Sequence, residues 1–291
     1  MKTIASYSLV SVFIFAGLAL AAAQEATDTV PPPKVLAVFR EFVKPGKGGS
    51  LHEKAESGFV QAYARAKWPQ HYFTVNSLTG KPRALFLIGY PTFEAWEKDN
   101  QAQQKNPTLS AALDRASIAD GELLSEADGS ILVYNEDQSL RAPVDIPHMR
   151  YFEIYVYRIR PGHRNEWDEL VKLVKSAYDK VPNVHWATYE ADYGLEGQNF
   201  VIFIPLKSAS EIDKGFEDDK QFAANLGADG LKRLAELEAA CVEHSQRNLF
   251  QFSPKMSYPP DEWVKADPDF WKPKAAMPAK APAKSDEKPK Q

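Results

Sequence analysis

The sequence predicts an α+β fold: two tandem ferredoxin-like βαββαβ repeats closed into one fused, pseudo-dimeric α+β barrel. Three observations predict it. Arg150 to Gly162, R-Y-F-E-I-Y-V-Y-R-I-R-P-G, is a run of aromatic and β-branched residues ended by a Pro-Gly turn, and Val35 to Gly46, V-L-A-V-F-R-E-F-V-K-P-G, has the same form 116 residues earlier. Helix and strand patterns follow in the same order after both turns. The strands also carry apolar residues at both parities, as in Tyr151, Phe152, Ile154, Tyr155, Val156 and Tyr157, so both sheet faces need cover. Right-handed crossovers place the helices of a βαββαβ unit on one face of its sheet. The two bare faces are then covered by closing on each other.

Val35 to Lys44 is the first strand, and Pro45 to Ser50 is a turn into a helix whose stripe of Leu51, Ala55, Phe59, Ala62 and Ala66 predicts the buried face. A strand is expected over about Gln70 to Ser77. A turn at Thr79-Gly80-Lys81-Pro82 leads to a buried strand, Ala84 to Tyr90. Helical pieces follow from Pro91 through Trp96 and near Leu109 to Glu126, then a last strand from Ile131 to Tyr134. In the second half, a helix with Trp167, Leu170, Val171, Val174 and Tyr178 on one face follows Pro161-Gly162. Next come strands at about Val184 to Tyr193 and Phe200 to Leu206, helical segments at Ser210 to Leu226 and Leu231 to Ser245, and a strand at Leu249 to Phe252.

These readings divide the chain into a leader (1–23), a Pro-rich linker (24–33), the first repeat (34–136), a linker (137–148), the second repeat (149–256) and a tail (257–291). The leader joins Lys2 to an uncharged apolar run ending in Ala21-Ala22-Ala23, the pattern of a secretory signal peptide cut after Ala23; an uncleaved anchor is the alternative. Export, to periplasm or medium, is expected. The tail is rich in Pro, Ala and Lys and predicts disorder, with Trp263, Phe270 and Trp271 as residues able to pack down first.

The chain has 291 residues, 44% of them hydrophobic, which is enough for a full core. Its net charge is −4, but the leader and tail mask an acidic body. Leaving out Lys2 and the last twenty residues, 28 basic residues face 37 acidic ones, a balance that opposes nucleic-acid binding. Cys241 is the only cysteine, so neither an internal disulfide nor a cysteine zinc cage is available.

With its elements placed, the chain from Lys34 to Lys255 resembles the dimeric α+β barrel superfamily, which includes NIPSNAP-like and antibiotic-biosynthesis-monooxygenase-like proteins. The resemblance rests on the doubled element order and on the aromatic strand that opens each half and ends in Pro-Gly. It implies a small-molecule binder or an oxidative enzyme. Some members use haem and others no cofactor, so haem is the one cofactor the resemblance brings forward.

The leading site candidate is a motif at the second strand of each half. Pro69-Gln70-His71-Tyr72-Phe73-Thr74 stands against Pro182-Asn183-Val184-His185-Trp186-Ala187-Thr188: Pro, amide, His, aromatic, any residue, Thr. Related histidines in a closed barrel could face a shared ligand as proton carriers or as metal or haem ligands; the alternative is that each His holds a neighbouring loop. The second candidate is the row Tyr151, Glu153, Tyr155 and Tyr157, whose period of two puts it on one sheet face, expected to be the barrel interior. Phe39 and Glu41 take the places of Tyr155 and Tyr157 in the first half. The ligand-pocket candidates are thus His71, Tyr72, Glu153, Tyr155, Tyr157, His185 and Trp186.

His52, Glu53 and Glu56 are expected on a solvated helix face, and no metal site is predicted, because H-E-x-x-H is absent. The glycines after Lys44 lack phosphate-loop spacing, and neither G-x-S-x-G nor G-x-G-x-x-G occurs. The expected function is an exported, soluble barrel protein that binds a small apolar or aromatic molecule, with no turnover assigned and no membrane contact once the leader is cut. Its rivals are a monooxygenase-like or haem-handling enzyme using His71 or His185, and a structural or interaction module with a filled barrel.

Overall fold

The computed structural model describes residues 29–272. Leader residues 1–23 and the last nineteen residues, 273–291, lie outside the described residues. Strands β1 (Val35–Val43), β2 (Phe73–Ser77), β3 (Arg83–Tyr90) and β4 (Leu124–Leu140) come with helices α1 (Ser50–Ala66), α2 (Phe93–Gln104) and α3 (Pro107–Gly121). Strands β5 (Tyr151–Ile159), β6 (Trp186–Tyr193), β7 (Gln198–Leu206) and β8 (Val242–Phe252) come with α4 (Arg164–Tyr178) and α5 (Ser210–Cys241). Two short helices, α6 (Asp261–Ala266) and α7 (Pro268–Trp271), end the described chain.

The eight strands, all pairing antiparallel, close into a barrel in the order β1-β3-β2-β8-β5-β7-β6-β4. β1 lies between β3 and β4, and β5 between β7 and β8. Two seams join the first four strands to the last four. β2 meets β8 through Val75↔Phe252, and β4 meets β6 through Val133↔Glu190. Closure leaves no sheet edge, which explains why the strands are apolar at both parities: one face fills the barrel and the other packs under helices.

The interior is filled by Leu36, Val38, Val75, Leu87, Phe152, Ile154, Tyr189, Phe203, Phe250 and Phe252 among others. Outside it, α4 lays Trp167 onto Phe200 with ring centroids 4.8 Å apart. On the first half, α1 and α3 approach closely at Gly58, where an added Cβ would come within 3.2 Å of the Ala116 Cβ. α2 and α3 start at side-chain caps, Thr92 accepting from the Ala95 amide and Asn106 from the Leu109 amide.

The structure moves several expected boundaries. β4 runs far beyond Ile131–Tyr134, through the start of the proposed linker to Leu140, and β8 starts at Val242, where a helix was expected to continue. α5 joins the two expected helical segments across a kink at Gly227, φ +66°. On α1 the buried residues are His52, Glu56 and Ala62; of the expected apolar stripe only Ala62 is buried, Ala55 and Phe59 are half-buried, and Leu51 is 50% exposed, so the buried face is turned from the one expected. The expectation of a disordered tail from residue 257 is also corrected over Ser257 to Lys272. Ser257 is buried, and Trp271 is 3% exposed against the barrel core, with its indole N–H donating to the Pro147 carbonyl at 2.9 Å.

Gly194, in the turn after β6, has φ +87°, and a Cβ there would lie 2.1 Å from the Gly129 carbonyl oxygen of β4. Gly194→Ala therefore adds left-handed strain to a backbone clash, together about 3 kcal/mol. The expected result is a melting temperature lower by about 10 °C, read by circular dichroism; an unchanged midpoint would show that the β4–β6 seam yields freely.

Candidate functional site

One end of the barrel is hollow. A cavity of about 370 Å³ opens where β1, β2, β5 and β6 begin and β3 and β7 end. Its walls include Leu36, Phe73, Phe152, Ala187, Tyr189 and Trp263, and no Asp, Glu, Lys or Arg lines it among the described residues. Residues Val30 to Pro33 and Trp263 of α6 cover the mouth. Pro33 sits on Gly89, where even a Cβ would approach within 2.7 Å, and the Tyr189 hydroxyl donates to the Pro33 carbonyl at 3.2 Å.

The repeated motif lies at this mouth. His71, Tyr72, His185 and Trp186 all line the cavity. His71 keeps Nδ1 3.3 Å from the Tyr258 carbonyl oxygen, with its ring 4.6 Å from that of Tyr258. His185 is held from both sides, Nδ1 being 2.9 Å from the Asn183 oxygen and Nε2 3.0 Å from the Pro205 oxygen. The loop-holding alternative thus describes His185 well. The motif's threonines have a separate role. Thr74 donates from its hydroxyl to the Met256 carbonyl (2.8 Å) and from its amide to the Ser257 hydroxyl (2.9 Å). Thr188 does the same to the Gln138 carbonyl (3.0 Å) and the Ser139 hydroxyl (2.9 Å). Each second strand is thereby clamped by the segment at the end of the other half's last strand.

Haem does not fit this cavity. Both His185 nitrogens face carbonyl oxygens, so this ring would have to give up one of those contacts to reach an iron, and although His71 is held through Nδ1 alone, the lining offers no cation to a propionate.

The tyrosine row has the opposite phase from the one expected. Phe152, Ile154 and Val156 point into the barrel, while Glu153, Tyr155 and Tyr157 face outward under α4 and α5. Tyr155 stacks on Tyr157 at 6.1 Å, Tyr157 packs 5.2 Å from Trp167, and Glu153 accepts from Arg247 at 2.8 Å. Glu153 thus finds a cationic partner outside the barrel, with the Tyr155 hydroxyl 3.5 Å from its carboxylate. Glu153, Tyr155 and Tyr157 therefore drop out of the barrel pocket; the two tyrosines line an open groove of about 990 Å³ between the sheet and α4–α5 instead.

Of the three α1 residues read as solvated, Glu53 is half-buried and pairs with Lys255, but His52 and Glu56 are buried. His52 is 3% exposed and Glu56 2%, facing Glu41 of β1 and Asp120 of α3, which is itself 2% exposed. The His52 Nε2 lies 3.1 Å from Glu41 Oε2 and 3.3 Å from Asp120 Oδ1. One N–H serves one acceptor well, and Asp120 Oδ1 and Glu56 Oε1 make no hydrogen bond. Burial, followed by the charges of Glu41 and Asp120, pushes the Glu56 carboxyl up to about 9. Burial opposes protonation of His52, but its contacts with Asp120 and Glu41 outweigh that and raise the imidazole to about 9. Glu41 is also raised, chiefly by burial, against the opposing contact with His52. The buried Tyr72 phenol rises for the same first reason, with the Glu56 charge next, and its hydroxyl is unpartnered.

No protein-family model matches the sequence, and no curated protein matches it. Solved structures do. A proposed monooxygenase from Fusobacterium nucleatum subsp. nucleatum shares 12% identity at a TM-score of 0.50, covering 76% of this chain and 93% of its own. An anthrone oxidase-like protein shares 16% identity at 0.49, covering 76% and 92%. A chlorite dismutase variant from Candidatus Nitrospira defluvii shares 11% at 0.46, covering 80% and 95%. The likeness to the first, at 12% identity, is one of fold alone.

Proposed function

We propose that the protein binds one small, neutral, apolar or aromatic molecule in the barrel-end cavity, with no turnover assigned. The observation that carries this reading is the cavity itself: about 370 Å³, walled by aliphatic and aromatic side chains, free of charged groups, with His71 and His185 at its rim. That volume and lining suit a small ligand held by apolar burial and oriented by few polar atoms. The leader supports export, and the matching element order of the two halves supports descent from one βαββαβ unit.

The test uses the chain from Gln24 and the neutral fluorophore N-phenyl-1-naphthylamine. Saturable binding at one site is expected, with energy transfer from Trp186 and Trp263. Ala187 points inward from β6, so Ala187→Trp fills the cavity and should weaken binding at least tenfold while the circular dichroism spectrum is kept. Binding that Ala187→Trp leaves untouched, or no binding at all, would overturn the proposal.

A further inference from the structure

Outside the barrel, the wall between β1 and the helices α1 and α3 holds a second polar centre. Glu41, His52, Glu56 and Asp120 each offer one ligand atom there, and the four atoms lie within 4.8 Å of one another. The set is nearly dry, and two of its carboxylate oxygens, Glu56 Oε1 and Asp120 Oδ1, are buried without a hydrogen-bond partner. Among the described residues no lysine or arginine pairs with any of the three carboxylates; His52 is the one group of opposite sign they reach. Three carboxylates crowded out of water around a single imidazole repel one another and forgo much of their hydration.

The fold does not require this arrangement. At the place of Glu41, 116 residues on, the second half carries Tyr157 packed against Trp167, and at the place of Asp120, 117 residues on, it carries the buried Leu237. Two of the four places are therefore built with apolar packing in the second half, while the places of His52 and Glu56 hold Asp168, which pairs with Arg164 and Gln138, and Lys172. A histidine among three carboxylates without a lysine or arginine partner is confined to the first half.

The geometry points to a divalent-cation site in which His52 Nε2 and one oxygen each of Glu41, Glu56 and Asp120 surround a single zinc-class ion. One imidazole and three carboxylates form a nitrogen and oxygen donor set suited to Zn²⁺ or Mn²⁺. Four protein donors in a dry wall leave little room for the waters Mn²⁺ keeps, which favours Zn²⁺ in a closed, four-coordinate site. Donors on a tetrahedral zinc ion stand about 3.4 Å apart. The contacts of His52 with Glu41 (3.1 Å) and Asp120 (3.3 Å) already have that spacing, and the remaining pairs, none more than 4.8 Å apart, need to close by at most about 1.4 Å. Glu41 comes from the sheet, His52 and Glu56 from one face of α1, and Asp120 from the end of α3, so the ion would tie three elements at one point. This site is separate from the barrel cavity, and either can fail without the other.

The untagged chain from Gln24 is stripped with chelator and then titrated with Zn²⁺, and separately with Mn²⁺ and Co²⁺. One Zn²⁺ per chain is expected by mass spectrometry, bound more tightly than Mn²⁺. At a hundredfold excess over Kd the melting temperature should rise by about 5–10 °C. Co²⁺ should give the intense visible bands of a tetrahedral nitrogen and oxygen site, a readout that needs no variant. Asp120→Asn and His52→Gln should each weaken Zn²⁺ at least a hundredfold. Absence of a stoichiometric ion, cobalt bands of an octahedral aquo type, or zinc binding that survives both substitutions would each overturn the inference.

Discussion

A chain ending at Ser257 is expected to lose most of its stability. It keeps every barrel strand and the Thr74 clamp, but it lacks α6 and α7. Trp271 packs against Phe252 and Trp263, with ring centroids 6.3 and 5.4 Å away, and Trp263 in turn lies 5.4 Å from Phe73 inside the barrel. Asp267 pairs with Arg150, whose guanidinium lies 3.9 Å over the Phe270 ring. Removing a buried tryptophan such as Trp271 costs about 3–5 kcal/mol by itself, against a total of about 5–15 kcal/mol for a typical domain. With Trp263 lost as well, and the cavity uncovered, the truncated chain should melt at least 10 °C lower and bind an apolar fluorophore without saturation. A chain lacking only residues 273–291 is the control. Equal melting of the two would show that the terminal helices merely rest on the barrel.

The second large effect is a gain. Replacing a buried ionic group by well-packed apolar residues is often neutral or stabilising by about 1–4 kcal/mol. Glu56→Leu combined with Asp120→Leu removes the two carboxylates that carry unpartnered oxygens, and the second of these changes copies Leu237 of the other half. The metal-free double variant should therefore melt about 3–10 °C above the metal-free parent and no longer respond to Zn²⁺. A lower midpoint would mean that the carboxylates hold the wall together in their own right.

The element order and the general position of the strands were legible in the sequence, because Pro-Gly turns and β-branched runs are local signals. The face each strand turns inward was not. From Tyr151 to Tyr157 both parities are bulky and apolar enough to be buried, so periodicity offers no contrast between interior and helix side. Tertiary context decided it: outside the barrel Glu153 meets Arg247, Tyr155 lies under the same guanidinium, and Tyr157 packs on Trp167 of α4. His71, His185 and Trp186 were found at the cavity because a repeated motif marks a repeated place. Its threonines turned out to be the structural part of that motif. His52 and Glu56 were misread because charged residues four apart on a helix resemble a solvated face. The available signal was comparison between halves, where Glu41 stands in the place of Tyr157 and Asp120 in that of Leu237, polar residues at positions the other half fills with core.

The paired clamps at Thr74 and Thr188 also bear on timing. Ser77 of β2 finds Phe250 of β8 173 residues later in the chain, so the first four strands emerge as a curved sheet with an unsatisfied edge and a bare apolar face. At synthesis rates of about 5–20 residues per second that edge waits roughly ten to thirty seconds for its partner. Neither half can seal itself, because the residues that lock each one belong to the other. The two halves supplied as separate polypeptides should therefore be sticky alone and soluble together, and the chain completes its fold only when its last turn of helix arrives.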